Sequence, residues 1–278
     1  MNNQKLKSKL KKIADEKNIE YNIVLRFYMY DRFIERLSKS KYKDNFVLKG
    51  GFYLSTIFGL DNRSTQDMDT MLRGVTLNRE NLLKIINEIA KIDLDDDIVF
   101  KVQDCVDIMA NNKYCGLSVN IEFNIDKIRD YFSIDVATGE ITAEGPISYR
   151  YKSLIDEETY DLWAYSLEGV LAEKIETSLS KLDANSRMKD YYDLYLLYKL
   201  KYADMDKKKL KHAINDTLMN RKFNNNISKS IEIIRNSDRL KLYWKAYTRK
   251  HAYAKDVKFD DCVTSMEKMI KETVGVEV

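Results

Sequence analysis

Hydrophobic positions along this 278-residue chain change period partway through. Lys5 to Lys17 repeats apolar residues at helical spacing, with Leu6, Leu10 and Ile13 on one face, and Asn18 ends the run. Asn22 to Ser38 predicts a stronger helix. Leu25, Met29, Phe33 and Leu37 recur at fours, and Ile23, Phe27, Tyr30 and Ile34 widen the stripe into a core face. Lys39 to Asn45 is a polar linker. Phe46-Val47-Leu48 reads as a short buried strand, Phe52 to Phe58 as a helix, and Asn78 to Ala90 as a helix with Leu82, Ile85, Ile86 and Ile89 inward.

Strand-like alternation then takes over. Ile98 to Met109 and Tyr114 to Asn124 predict two strands with Asn111-Asn112 at the tip between them. In the second, Leu117, Val119, Ile121 and Phe123 point inward and Ser118, Asn120 and Glu122 outward. Tyr131 to Ala137 is another strand, ended by Thr138-Gly139. Ile147 to Tyr151 and Tyr160 to Trp163 are two more. From Ser166 the pattern is helical throughout. Leu167 to Leu179 buries Val170, Leu171 and Ile175. Ser186 to Leu200 buries Leu194, Leu197, Tyr198 and Leu200. Four further amphipathic segments carry Leu210, Ile214 and Leu218; Ile231, Ile233 and Ile234; Leu242, Trp244 and Tyr247; and Val263, Met266 and Met269. Strands before residue 160 and helices after it divide the chain into an α+β domain, 1–160, and an all-helical domain, 161–278.

Composition narrows the chemistry. One proline and nine glycines suit a helix-rich chain with few irregular loops. Cys105, Cys115 and Cys262 lack paired spacing and fit free thiols in a reducing cytoplasm. His212 and His251 form no zinc pattern with them and lie in lysine-rich helical segments, which disfavours a Ser-His-Asp or Cys-His machine. The charged N-terminus lacks the apolar centre of a signal peptide, and no apolar run approaches the ~18 residues of a membrane span. The acidic turn Asp93 to Asp97 has no EF-hand spacing. The formal net charge of +3 does not demand a nucleic-acid partner. Lys207, Lys208, Lys209 and Lys211, and Arg239, Lys241, Lys245, Arg249 and Lys250, nevertheless form two basic groups compatible with RNA.

The stretch from Phe46 to Gly74 concentrates the candidate chemistry. Gly50 and Gly51 permit a sharp turn and close backbone approach after the strand. The helix that follows would aim free N–H groups at a phosphate. In Asp67-Met68-Asp69 the strand period puts both carboxylates on one side. Such a pair calls for a cation, and the hard-oxygen preference of Mg²⁺ suits it. Asp135, flanked by Ile134 and Val136, is costly to bury alone and should be paired, metal-bound or facing a cleft; binding metal, it would complete an oxygen set with Asp67 and Asp69. Asp190 and Asp193 are helical neighbours, as are Arg187 and Asp190, which on pattern alone is an ordinary salt-bridged turn.

In this order the motifs resemble the AbiEii/AbiGii toxin family of nucleotidyltransferase-like proteins, within the DNA polymerase β-type superfamily. The resemblance rests on Leu48-Lys49-Gly50-Gly51, on Gly59-Leu60, Arg63 and Thr65 before Asp67-Met68-Asp69, on Ile134-Asp135-Val136, on Glu173-Lys174, and on Arg187-x-Lys189-Asp190-x-x-Asp193. It implies a mixed, twisted sheet with helices, a helical C-terminal domain and a cleft between them. It also implies a cytoplasmic toxin of a bacterial toxin–antitoxin, abortive-infection type of phage defence, moving NMP from an NTP to an acceptor. RNA, foremost a tRNA 3′ end, is the acceptor the family suggests, with Mg²⁺ as cofactor and a cognate antitoxin as partner. Asp67, Asp69, Lys174 and Asp190 would be catalytic, and Asp67, Asp69 and Asp135 would hold metal. Lys49, Gly50, Gly51, Arg63, Thr65, Lys174, Arg187, Lys189 and Asp193 would bind the NTP. The Gly51-to-Asp67 gap is longer than usual in the superfamily, and a glycine pair stands where Gly-Ser is commoner. Two other readings are an NTP-binding module without turnover and a two-metal nuclease.

Overall fold

The computed structural model describes residues 3–108, 116–138 and 145–275. The expected hairpin tip at Asn111-Asn112, Gly139 and Cys115 lie outside them. Of the described residues, those up to Tyr165 apart from Gly145 form one compact unit, and Gly145 with those from Ser166 onward form a second.

The first unit opens with α1 (Asn3–Lys17) and α2 (Tyr21–Lys39). Asn18 turns between them at φ 51°, a left-handed position that asparagine tolerates. There follow β1 (Phe46–Leu48), α3 (Gly50–Phe58), β2 (Asp67–Leu72), α4 (Arg79–Ala90), β3 (Val99–Ile108), β4 (Gly116–Ile125), β5 (Ile128–Ala137), β6 (Ile147–Lys152) and β7 (Thr159–Ala164). The strands make one seven-stranded sheet in the order β3-β4-β5-β2-β1-β7-β6. It is mixed: β2 runs parallel to β5 and β1 parallel to β7, while the other neighbours are antiparallel.

The apolar stripe of α2 is core. Phe27, Tyr30 and Phe33 are buried and meet Phe52, Phe100 and Phe132 edge-on or stacked, with ring centroids 5.3 to 6.2 Å apart. Fully burying each such ring stabilises the fold by about 1.5–3 kcal/mol. Phe52, on α3, is thereby fixed against α2, which sets where α3 begins.

β5 starts at Ile128 rather than at Tyr131. A tight turn at Asp126-Lys127, with Asp126 at φ 53°, pairs Ile125 with Ile128 and extends the hairpin by three residues. The inward set of β4 is buried as expected. The outward set is less exposed than alternation predicts: Ser118 and Glu122 are also buried. Glu122 accepts from Arg129, Gln103, Asn124 and the Tyr131 hydroxyl, so its charge is satisfied by neighbouring strands.

The second unit holds α5 (Leu167–Lys181), α6 (Met188–Leu200), α7 (Lys207–Asn220), α8 (Ile227–Asn236), α9 (Asp238–Lys250) and α10 (Phe259–Val274). Ser166, Asp206, Asn226 and Ser237 cap α5, α7, α8 and α9 through side-chain oxygens on backbone N–H groups. Three expected core positions point to solvent instead: Leu200, Ile233 and Leu242 are each about half exposed or more. Their place is taken by Tyr191, Tyr192 and Leu196 on α6, Leu240 on α9 and Cys262 on α10.

Candidate active site

The Asp67-Met68-Asp69 triplet opens β2, with Met68 fully buried and both aspartates half-buried on the opposite face. Parallel pairing sets Asp69 directly beside Asp135 of β5, and Asp67 beside Ser133. Three carboxylates separated in sequence by as much as 68 positions are thus assembled by register alone. Asp135 is half-buried, and its Oδ1 accepts the Ser118 hydroxyl from β4 at 2.6 Å.

The glycine pair lies within the helix rather than before it. Lys49 is the residue preceding α3, and Gly50 and Gly51 form its first turn, with Gly50 at φ +62°. The backbone N–H of Gly51 donates to Asp69 Oδ2 at 2.8 Å, and Lys49 N–H donates to the Asp69 carbonyl at 3.1 Å. At least one N–H of this helix start therefore already holds an anion, the Asp69 carboxylate. A Cβ at Gly50 would come within 2.3 Å of Asp69 Oδ2, and one at Gly51 within 2.9 Å of Arg63 Nη2 and 3.0 Å of Thr65 Oγ1. The absent side chains are what let Asp69, Arg63 and Thr65 close on the turn.

The long α3–β2 connection explains how Arg63 and Thr65 reach it. Gly59 caps α3 at φ +85°, and its carbonyl accepts the N–H of Arg63. The loop doubles back and buries Arg63, whose guanidinium also donates to the Ser64 carbonyl.

Two contributors went unrecognised in the sequence. Ser118 positions Asp135, though its only sequence signal is its place in an outward-facing alternation. Tyr30 of α2 donates to the Gln66 carbonyl at 2.6 Å, directly before the triplet. Burial holds its phenol protonated far above the ordinary range. Arg26 opposes this, and the negative charges of Asp67, Asp69 and Asp135 reinforce it. Helical periodicity marked Tyr30 only as core.

All three acids offer hard oxygen ligands of the type Mg²⁺ takes. Among the described residues no group of three or more His, Cys, Asp or Glu side chains converges as a ready-made metal set. One oxygen each of Asp69 and Asp135 is turned to a protein donor. The donor chemistry therefore fits a cation of the kind bound through one or two carboxylates plus substrate phosphates, rather than an all-protein cage.

In the second unit, Lys174 of α5 is a buried cation clasped by α6. Its Nζ lies 2.6 Å from Asp190 Oδ1 and 2.9 Å from Asp193 Oδ2. Burial alone would lower its pKa, but the two carboxylates more than offset this and hold the ammonium charged well above the ordinary range. Arg187 reaches Asp190 only at 4.0 Å and is half exposed. Lys189 is half-buried on α6 and joins no ion pair among the described residues. The pairing of Asp190 and Asp193 with one lysine, rather than with Arg187, is what the helix spacing could not reveal.

Comparison with known proteins agrees with the fold. No curated protein matches the chain. Solved structures that share its fold include JHP933 of Helicobacter pylori (TM-score 0.53, 14% identity, 90% of each chain), a putative nucleotidyltransferase of H. pylori (0.52, 14%, 91% of this chain and 97% of that one), and MenT4, a nucleotidyltransferase toxin of Mycobacterium tuberculosis (0.52, 14%, 92% of each). No helix of the described residues is long and apolar enough to cross a membrane. Residues 32–265, most of the chain, match the family described as nucleotidyl transferase AbiEii toxin of type IV toxin–antitoxin systems, and the chain belongs to that family.

Proposed function

We propose that this toxin transfers a nucleoside monophosphate from an NTP to RNA, with tRNA 3′ ends as the leading acceptor, in the cytoplasm and under control of a cognate antitoxin. The observation that carries the reading is the juxtaposition of Asp67, Asp69 and Asp135 on one sheet face beside the Gly50-Gly51 turn. An acid cluster fixed against a helix start suits a triphosphate better than it suits a bare phosphodiester, which favours transfer over nuclease cleavage.

Asp67 and Asp69, with Asp135, would hold Mg²⁺. Bound there, the ion would neutralise developing phosphate charge and acidify the attacking hydroxyl. The chain's own residues supply placement. Gly50 and Gly51 keep the space above Asp69 clear. The Gly51 N–H and the Ser118 hydroxyl each fix one acid. Arg63, Thr65 and Lys49 line the approach of the phosphates. Lys174, held by Asp190 and Asp193, is assigned to phosphate neutralisation on the family pattern, with Arg187 and Lys189 as further NTP contacts. The acceptor hydroxyl oxygen bonds to the α-phosphorus and loses its proton to a carboxylate on this face. The α–β phosphoanhydride bond breaks and pyrophosphate departs.

Growth on induction separates turnover from mere binding. Wild type arrests growth and Asp67→Ala does not. Equal arrest by both, at equal protein level, would assign toxicity to binding alone.

A further inference from the structure

The sheet face that carries the acids extends beyond Asp135. Asp135, Ser133, Tyr131 and Arg129 alternate along β5 on that side, and antiparallel register sets Asn120 and Glu122 of β4 opposite Ser133 and Tyr131. Ser133 and Asn120 are half-buried. Beyond them, Tyr131 is 45% exposed and the Arg129 side chain 64% exposed. Tyr131 is four residues from Asp135, about 13 Å along the strand at ~3.3 Å each. Neither Tyr131 nor Arg129 serves the core, which takes Phe132, Ile134 and Val136 from the other side of β5.

A buried acid fixes this outer end. Glu122 accepts Arg129 Nη2 at 2.6 Å and the Tyr131 hydroxyl at 3.2 Å. Gln103 and Asn124 donate to the same carboxylate at 3.0 and 2.9 Å. The Arg129 guanidinium lies 5.9 Å from the Tyr131 ring centroid, and no other ring packs against Tyr131 among the described residues. An arginine and a tyrosine are thus held in place from beneath while staying open to solvent. Glu122 engages one nitrogen of the guanidinium, which leaves donors of the fork for a second anion.

The chemistry of transfer says what would lie there. In the sheet, β1, which leads into the Gly50-Gly51 turn, flanks β2 on one side and β5 flanks it on the other. With pyrophosphate leaving over the glycine turn, in-line displacement brings the acceptor oxygen in from the side of β5. The strand that bears this oxygen then crosses the open face of β5 and β4. A stacked strand rises about 3.4 Å per nucleotide, so Tyr131 and Arg129 meet nucleotides behind the reacting one. The incoming NTP fits this end less well, because its phosphates are kept on the side of β1.

We propose that Tyr131 and Arg129, positioned by Glu122, bind the acceptor RNA behind its reacting end, Tyr131 through its exposed ring against a nucleoside and Arg129 through a phosphate. This rests on the reading that the acceptor is RNA and adds where the chain holds it. The test is fluorescence anisotropy of the purified full chain with a short labelled single-stranded RNA, without NTP, over a salt series, alongside steady-state transfer to the same RNA. Y131A should weaken binding by about fivefold or more. R129A should weaken it too and flatten the dependence of log K on log salt by about 0.7, one phosphate contact. Both should raise KM for RNA and leave KM for NTP unchanged. Y131F, which keeps the ring, should bind like wild type. R150A removes an equally exposed cation from β6 at the far edge of the sheet and should leave binding unchanged.

Wild-type affinity in both Y131A and R129A would overturn the proposal, as would absence of RNA binding by the wild type. A loss in Y131F equal to that in Y131A would overturn the ring contact and leave the tyrosine only its bond to Glu122. A raised KM for NTP in place of RNA would give the pair to the incoming nucleotide instead. RNA binding that depends on Tyr131 and Arg129 without any NMP transfer would overturn the activity and keep the surface. Transfer to RNA with both variants unaffected would do the reverse.

Discussion

The Asp69 carboxylate and the Gly51 backbone N–H, 2.8 Å apart, join the acid pair to the glycine turn as one structural unit. Gly50 is the tightest point of that unit. Its φ of +62° disfavours any side chain, and a Cβ there would collide with Asp69. Gly50→Ala is expected to cost about 1–2 kcal/mol in backbone strain and to displace Asp69. Steady-state transfer assays should therefore show a fall in kcat larger than the loss in thermal stability accounts for.

Asp69→Asn keeps an oxygen for the Gly51 N–H but removes the charge. Loss of several kcal/mol of transition-state stabilisation corresponds to a rate drop of about 10²-fold or more. Circular dichroism and melting should stay near wild type. Ser118→Ala should act through Asp135 more mildly, with Asp135→Asn no less damaging than Ser118→Ala. Chelation with EDTA should abolish transfer by wild type, with recovery on adding Mg²⁺.

The buried triad of Lys174, Asp190 and Asp193 predicts a stability effect independent of chemistry. Asp193→Ala leaves Lys174 with one partner inside the helical unit, a type of change that costs about 3–5 kcal/mol. Lys174→Met strands two carboxylates and should be at least as harmful. The raised lysine pKa contributes stability that is complete below the unfolded value near 10.4 and is lost only as pH rises through the folded value. Lys174's contribution should therefore be constant between pH 6 and 9, adding no pH dependence to the denaturant midpoints there.

Asp31 behaves differently. It is fully buried on α2 and accepts from Tyr151, Ser153 and the backbone N–H groups of Leu154 and Ile155. Burial outweighs these donors and pushes its carboxyl up to about 6 from 3.8. The folded state then binds a proton more readily than the unfolded one. Its contribution is present below about pH 4 and is lost as pH rises to about 6, at up to ~1.4 kcal/mol per pH unit. Asp31→Asn should remove this segment of the stability–pH curve, as read by urea unfolding at pH 4.5 and 7.

Much of this was legible in the sequence because it depends on short periods. The alternation of Asp67, Met68 and Asp69 placed both acids on one face, and the fours in α2 marked its core. Long-range register was not legible. Nothing local says that Asp69 faces Asp135, that Glu122 is enclosed by Arg129 and Gln103, or that Lys174 gathers two acids. Hydrophobic pattern also over-assigned Leu200 and Leu242 to the core, since an apolar residue at the edge of a helical stripe costs little when exposed. The β5 start at Ile128 was hidden because Asp126-Lys127 lacks the Asn-Gly or Asp-Gly signature of a tight hairpin.

The central claim is transfer of a nucleotide at the Asp67–Asp69–Asp135 face. The most direct measurement incubates purified protein with each α-labelled NTP, Mg²⁺ and total RNA. Label should enter a discrete RNA species, and Asp67→Ala should abolish this. Absence of label transfer to RNA with all four NTPs, or undiminished labelling by Asp67→Ala, would contradict the account.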